Sequence, residues 1–125
     1  MTERAVHVLL IEDDEGLRPI LARHLAMKGF RVAEAPSAEA AAADLAAGLR
    51  PALVLLDLNL PGSTGWEFLR GSALSEAGHP PVVITTATTV NPRRLRELAV
   101  AGYLPKPFAM ETLVATVERF VGARP

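Results

Sequence analysis

Runs of consecutive apolar residues alternate along this chain with segments of helical spacing. Val6-His7-Val8-Leu9-Leu10-Ile11 and Leu53-Val54-Leu55-Leu56 are apolar at nearly every position. Such runs predict strands buried on both faces, as in a parallel sheet. Residues 5–11, 31–35, 53–56 and 82–85 are the first four predicted strands, and Tyr103-Leu104 is a short fifth. Between them, Leu17, Ile20, Leu21 and Leu25 recur at helical spacing up to Gly29, which closes a first helix. Pro19 falls about one turn in, where it removes one backbone hydrogen bond or tilts the turn. Ser37 is an N-cap for an alanine-rich helix ending near Gly48. A loop over residues 61–65 leads into a third helix marked by Trp66, Leu69 and Ala73. Asn91 and Pro92 form a cap and first-turn pair for a fourth. Leu113, Val114, Val117, Phe120 and Val121 give the fifth an apolar stripe. The sum is (βα)5, an α/β chain with a parallel sheet covered on both faces by right-handed crossovers.

Length and composition narrow this without changing it. The 125 residues fit one domain, residues 1–125, with an ordered core over about 5–121 and a tail or linker start over 122–125. A net charge of −1 leaves no electrostatic footprint for nucleic acid. The absence of cysteine excludes a disulfide scaffold and a thiolate metal site. His7, His24 and His79 share no ligand spacing. No apolar stretch approaches the roughly 18 residues of a membrane span, and residues 1–10 carry no signal-peptide pattern. A cytoplasmic domain is the expectation.

The candidate chemistry lies where the buried strands end. The first runs straight into Glu12-Asp13-Asp14, and the third ends at Asp57. In open α/β sheets that carboxyl edge is where ligands bind. Two like charges about 4 Å apart repel by roughly 4 kcal/mol at an effective dielectric near 20, so either a proton or a cation must compensate. Carboxylate oxygens without histidine or cysteine favour Mg2+ or Ca2+, and an incomplete cage suits Mg2+, which keeps waters and shares its shell with phosphate. Thr86-Ala87 and Lys106 follow the fourth and fifth strands. A hydroxyl and an ammonium beside a metal-bound carboxylate suit a phosphoryl group, and Asp57 can itself be the nucleophile.

With these motifs in order, Glu12-Asp13-Asp14, Asp57 with Pro61 and Gly65, Thr86-Ala87, and Tyr103-Leu104-Pro105-Lys106-Pro107-Phe108, the chain resembles a response-regulator receiver domain of two-component signalling over essentially its whole length. The resemblance implies a flavodoxin-like, doubly wound sheet of strand order 2-1-3-4-5. It implies Asp57 as phosphoacceptor, and metal ligation by Asp13, by Asp57, by Glu12 through water and by the backbone carbonyl of Asn59. Thr86 becomes the switch hydroxyl, Lys106 the phosphate-pairing lysine and Tyr103 the aromatic whose rotamer reports activation. Lys106-Pro107 resembles the family's cis peptide. Arg18 fixes this register, which leaves Asp14 as a helix cap rather than a ligand. The implied cofactor is Mg2+, with Mn2+ as an alternative. The implied donor is a histidine kinase or phosphotransfer protein, and the output a downstream partner or effector domain. A monomer or a phosphorylation-dependent dimer is expected, with no direct nucleic-acid or membrane contact. Such a chain catalyses its own aspartyl phosphorylation and dephosphorylation, yet is primarily a signalling switch acting through its fourth helix, fifth strand and fifth helix. The stretch from Thr86 to Lys106 is about two residues shorter than the family's, which puts that signalling face in question.

Four other readings stand beside these. Arg93, Arg94 and Arg96 read as a solvated helix face, and Trp66 as helix packing. A phosphorylation-independent interaction module would keep the same pocket as inherited architecture. A phosphatase-like hydrolase wants a second acid two residues after the nucleophile, where this chain has Asn59.

Overall fold

Side chains on successive strand residues point to opposite faces, and the central strands use both faces for core. In a computed structural model describing residues 4–60 and 65–123, Val8, Leu10, Leu53, Leu55 and Val83 enter one apolar cluster, while Leu9, Ile11, Val54, Leu56, Val82 and Ile84 enter the other. The strands are β1 (Arg4–Ile11), β2 (Val32–Ala35), β3 (Leu49–Asp57), β4 (Val82–Thr86) and β5 (Gly102–Pro105). All pairings are parallel, in the order β2-β1-β3-β4-β5. This is the doubly wound, flavodoxin-like order expected. Every strand boundary lies within one residue of the sequence reading except the start of β3, which begins at Leu49, four residues before the expected Leu53.

Helices α1 (Leu17–Met27) and α6 (Met110–Val121) cover one face through Leu21, Leu25, Leu113 and Val117. Helix α2 (Ala38–Ala46) and the short α3 (Gly65–Arg70), α4 (Ala73–Glu76) and α5 (Pro92–Glu97) lie on the other. The single third helix expected is therefore two. Gly71 and Ser72 interrupt it, and the buried contacts come from Phe68 and Leu74, with Trp66 only partly covered. The expected fourth and fifth helices are α5 and α6. Pro61 and Gly62 of the expected loop, and Arg124 and Pro125 of the expected tail, lie outside the described residues. Among the described residues no helix is long and apolar enough to cross a membrane.

Helix ends follow their local chemistry. Ser37 Oγ accepts from the Ala40 N–H at 3.1 Å, and Asn91 Oδ1 from the Arg93 N–H at 2.9 Å, as both caps require. Asp14 Oδ1 accepts from Gly16 N–H at 2.8 Å and Leu17 N–H at 3.0 Å, so Asp14 caps α1. These two bonds hold its carboxyl below the usual aspartate value, Leu17 contributing more. Pro19 has no N–H to offer the Glu15 carbonyl, and regular helix begins only at Leu17. Helix α5 ends with Ala99 in the left-handed region, φ 56°, while the Val100 N–H reaches the Leu95 carbonyl at 3.3 Å. This is a Schellman closure made without its usual glycine.

Candidate functional site

The parallel register carries the ends of β1, β3 and β4 to one edge. Ile11 pairs with Leu56, and Asp57 with Thr85. The next residues along β1 are Glu12 and Asp13. One carboxylate oxygen from each of Glu12, Asp13 and Asp57 lies within 4.8 Å of the others. Glu12 and Asp57 are 2% and 3% exposed, so water screens their charges poorly. Burial, and then the neighbouring Asp57, push the Glu12 carboxyl up to about 7.

Lys106 answers that charge from the loop after β5. Its Nζ donates to Glu12 Oε1 at 2.6 Å and lies 3.4 Å from Asp57 Oδ2. Burial alone would lower the ammonium, but the Glu12 hydrogen bond and the two carboxylate charges hold it above its ordinary value. The Lys106-Pro107 bond is cis. An all-oxygen donor set with an excess of buried negative charge fits Mg2+.

The second half of the site is neutral. Asn59 connects it to the first. Its backbone N–H donates to Asp57 Oδ1 at 2.9 Å, and its side-chain Nδ2 donates to Thr86 Oγ1 at 3.1 Å. Thr86 is fully buried and also meets Thr88, through the Thr88 N–H at 3.1 Å and the Thr88 hydroxyl at 2.9 Å. The Tyr103 hydroxyl donates to the Thr88 carbonyl at 3.3 Å. Tyr103 is 37% exposed, turned outward rather than into the core. Thus Glu12, Asp13, Asp57 and Lys106 share one crevice, Thr86 joins it through Asn59, and Tyr103 joins Thr86 through Thr88. The Lys106 backbone N–H donates to the Thr86 carbonyl at 2.8 Å, but no described hydrogen bond runs from the Thr86 hydroxyl to Asp57 or to the Lys106 ammonium. Of the two adjacent threonines, Thr86 rather than Thr85 bonds to Asn59.

Three groups escaped the sequence reading. The resemblance assigns Asn59 a role for its carbonyl alone, and says nothing of the side chain that reaches Thr86. Thr88, two residues after Thr86, carries the spacing by which a threonine hydroxyl takes a backbone N–H locally. Arg18 served only to set register. Its guanidinium donates to the Glu12 carbonyl at 3.0 Å, lies 3.3 Å from Glu34 and pairs with Glu15. It thereby ties the acidic loop to α1 and β2.

Two openings flank the crevice. A largely apolar pocket of about 290 Å3 lies beside Lys106, lined by Leu17, Leu21, Phe108 and Met110. A polar cleft of about 580 Å3 runs from Asn59 and Thr88 to Trp66, Arg93, Arg94 and Glu97. Arg94 stacks over the Trp66 ring, 4.8 Å from its centroid. Arg93, Arg94 and Arg96 are exposed, as a solvated face should be.

The carboxyl edge of a doubly wound sheet is a ligand site, and comparison with known proteins gives the class of domain that carries this one. Residues 8–118 match the family described as the response regulator receiver domain. The chain belongs to that family, and is a receiver domain of a two-component response regulator. It is 35% identical over 111 residues to the response regulator MprA of Mycobacterium sp. (strain KMS), covering 88% of this chain and 48% of the relative. The chain thus spans about half the length of that relative. Among solved structures, the chemotaxis protein CheY4 of Vibrio cholerae superposes with a TM-score of 0.82 at 27% identity, covering 94% of this chain and 99% of the other. The non-phosphorylated HemR receiver domain of Leptospira biflexa gives 0.80 at 32% identity, covering 96% and 98%.

Proposed function

We propose that this receiver takes a phosphoryl group on Asp57 from the phosphohistidine of a histidine kinase or phosphotransfer protein, and signals through α5, β5 and α6. The reading rests on one observation above the rest: three buried or half-buried carboxylates converge within 4.8 Å, with the Lys106 ammonium 3.4 Å from Asp57.

In the transfer, an Asp57 carboxylate oxygen attacks phosphorus. The donor's N–P bond breaks as the O–P bond forms, and the imidazole nitrogen keeps the electron pair and takes a proton from solvent. Glu12, Asp13, Asp57 and the Asn59 carbonyl are the groups that would hold Mg2+, which when bound neutralises the carboxylates and draws charge from the phosphoryl oxygens. Lys106 then exchanges Glu12 for a phosphoryl oxygen, a short move for a flexible side chain already between the two acids. The Thr86 hydroxyl donates to a second phosphoryl oxygen. Tyr103 leaves its exposed position for the space Thr86 gives up. A charge change at Asp57 thereby biases a two-state element at the surface.

The test is labelling with acetyl phosphate and Mg2+. The native chain acquires an acid-stable, base-labile phosphate, and Asp57→Asn acquires none. Labelling that persists in Asp57→Asn refutes the assignment. A native chain that neither binds Mg2+ nor labels is the phosphorylation-independent module instead.

A further inference from the structure

The hydrogen bonds around Thr86 contain a constraint on its release. A hydroxyl has one proton and two lone pairs. Asn59 Nδ2 and the Thr88 N–H, each 3.1 Å away, are donors with nothing to accept. They occupy both lone pairs of Thr86 Oγ1. The remaining 2.9 Å contact to Thr88 Oγ1 must then use the single Thr86 proton, with Thr88 as acceptor. A phosphoryl oxygen on Asp57 is also an acceptor and needs that same proton.

We propose that Thr88 is a positioning residue that holds the Thr86 proton in the resting state and so sets how readily the switch engages; this deepens the phosphorylation reading and rests on it. One proton cannot serve two acceptors, so the Thr86 hydroxyl must leave Thr88 Oγ1 before it meets a phosphoryl oxygen. Thr86 is fully buried, so water does not replace Thr88 when its hydroxyl is removed. Thr88 itself is exposed, so its hydroxyl goes to solvent once released. The same residue accepts the Tyr103 hydroxyl on its carbonyl, which joins the exposed aromatic to the lock. Helix α5, just beyond, buries no residue and offers little resistance to a shift of this loop.

The experiment titrates beryllofluoride, a phosphoryl mimic, with saturating Mg2+ into the full chain and its variants by calorimetry. Thr88→Val keeps shape and backbone but removes the acceptor, and Thr88→Ser keeps it. Thr88→Val is expected to bind about three- to tenfold tighter, the worth of one net hydrogen bond lost from the resting state. Thr88→Ser is expected to stay within about twofold of native, and Mg2+ affinity without beryllofluoride to be the same in all three. Native-like or weaker binding by Thr88→Val overturns the proposal, as does a Ser variant that behaves like Val. A native chain with no response, indistinguishable from Asp57→Asn, overturns the phosphorylation reading and this proposal together.

Discussion

The two flanks of Asp57 are built differently. On the charged flank, Glu12, Asp13 and Lys106 extend from β1 and β5, and Arg18 ties the acidic loop down. Glu12 is 2% exposed, and the strand behind it is core on both faces. On the hydroxyl flank, Asn59, Thr86, Thr88 and Tyr103 form a chain of neutral hydrogen bonds that runs outward to exposed residues. It ends beside α5, six residues long, which buries none of them. Binding a cation and a phosphoryl group calls for groups held in place. Reporting the event calls for groups whose alternatives cost little. The domain separates the two demands across one side chain, with Asn59 touching both.

Lys106→Ala is the strongest test of the charged flank. It leaves Glu12 buried without a partner, and breaking such a pair costs about 3 kcal/mol. That loss should appear in denaturant melts of the metal-free chain near pH 8. It should shrink near pH 5, where Glu12 carries a proton and needs no partner. Mg2+ affinity should survive, while the response to phosphorylation is blunted. An equal loss at both pH values would mean that charge is not what Lys106 answers.

Gly65→Ala probes the point where the chain returns past both flanks. A Cβ at Gly65 would lie 2.9 Å from Leu58 Cα and 3.0 Å from the Asp57 carbonyl oxygen. Backbone must move, at about 2 kcal/mol, and it moves beside Asp57. A lowered denaturation midpoint together with weakened Mg2+ binding is expected. A variant as stable as native would show that the approach is looser than these distances.

The smallest effect is one of pH. The Glu12 carboxyl is raised from 4.5 to about 7. Between those values the folded metal-free chain binds more protons than the unfolded chain, so its stability falls as pH rises through that window. Mg2+ competes with the proton, so its affinity should rise by about tenfold from pH 6 to pH 8. Titration calorimetry at the two pH values checks this. A flat profile would place the titrating group elsewhere.

Much of the charged flank was legible beforehand. Leu53-Val54-Leu55-Leu56 reads as a strand with both faces covered, and a carboxylate at the end of such a strand lies at the edge of the sheet. The hydroxyl flank was less so. The motif marks Thr86, but its bonds to Asn59 and Thr88 and the outward turn of Tyr103 exist only in the fold. Trp66, Leu69 and Ala73 keep helical spacing across Gly71 and Ser72, so local pattern predicts one helix where the chain forms two.

Local pattern alone determined the alternation of strands and helices, the caps at Ser37 and Asn91, and which residues stand at strand ends. These follow from side-chain period and from donors and acceptors a few residues apart. Tertiary structure decided which partners meet: Lys106 with Glu12 across 94 residues, and Asn59 with Thr86 across 27. Such pairs depend on strand order and register, which bring distant segments together. The hydroxyl's single proton, too, was committed only once its three neighbours were in place around it.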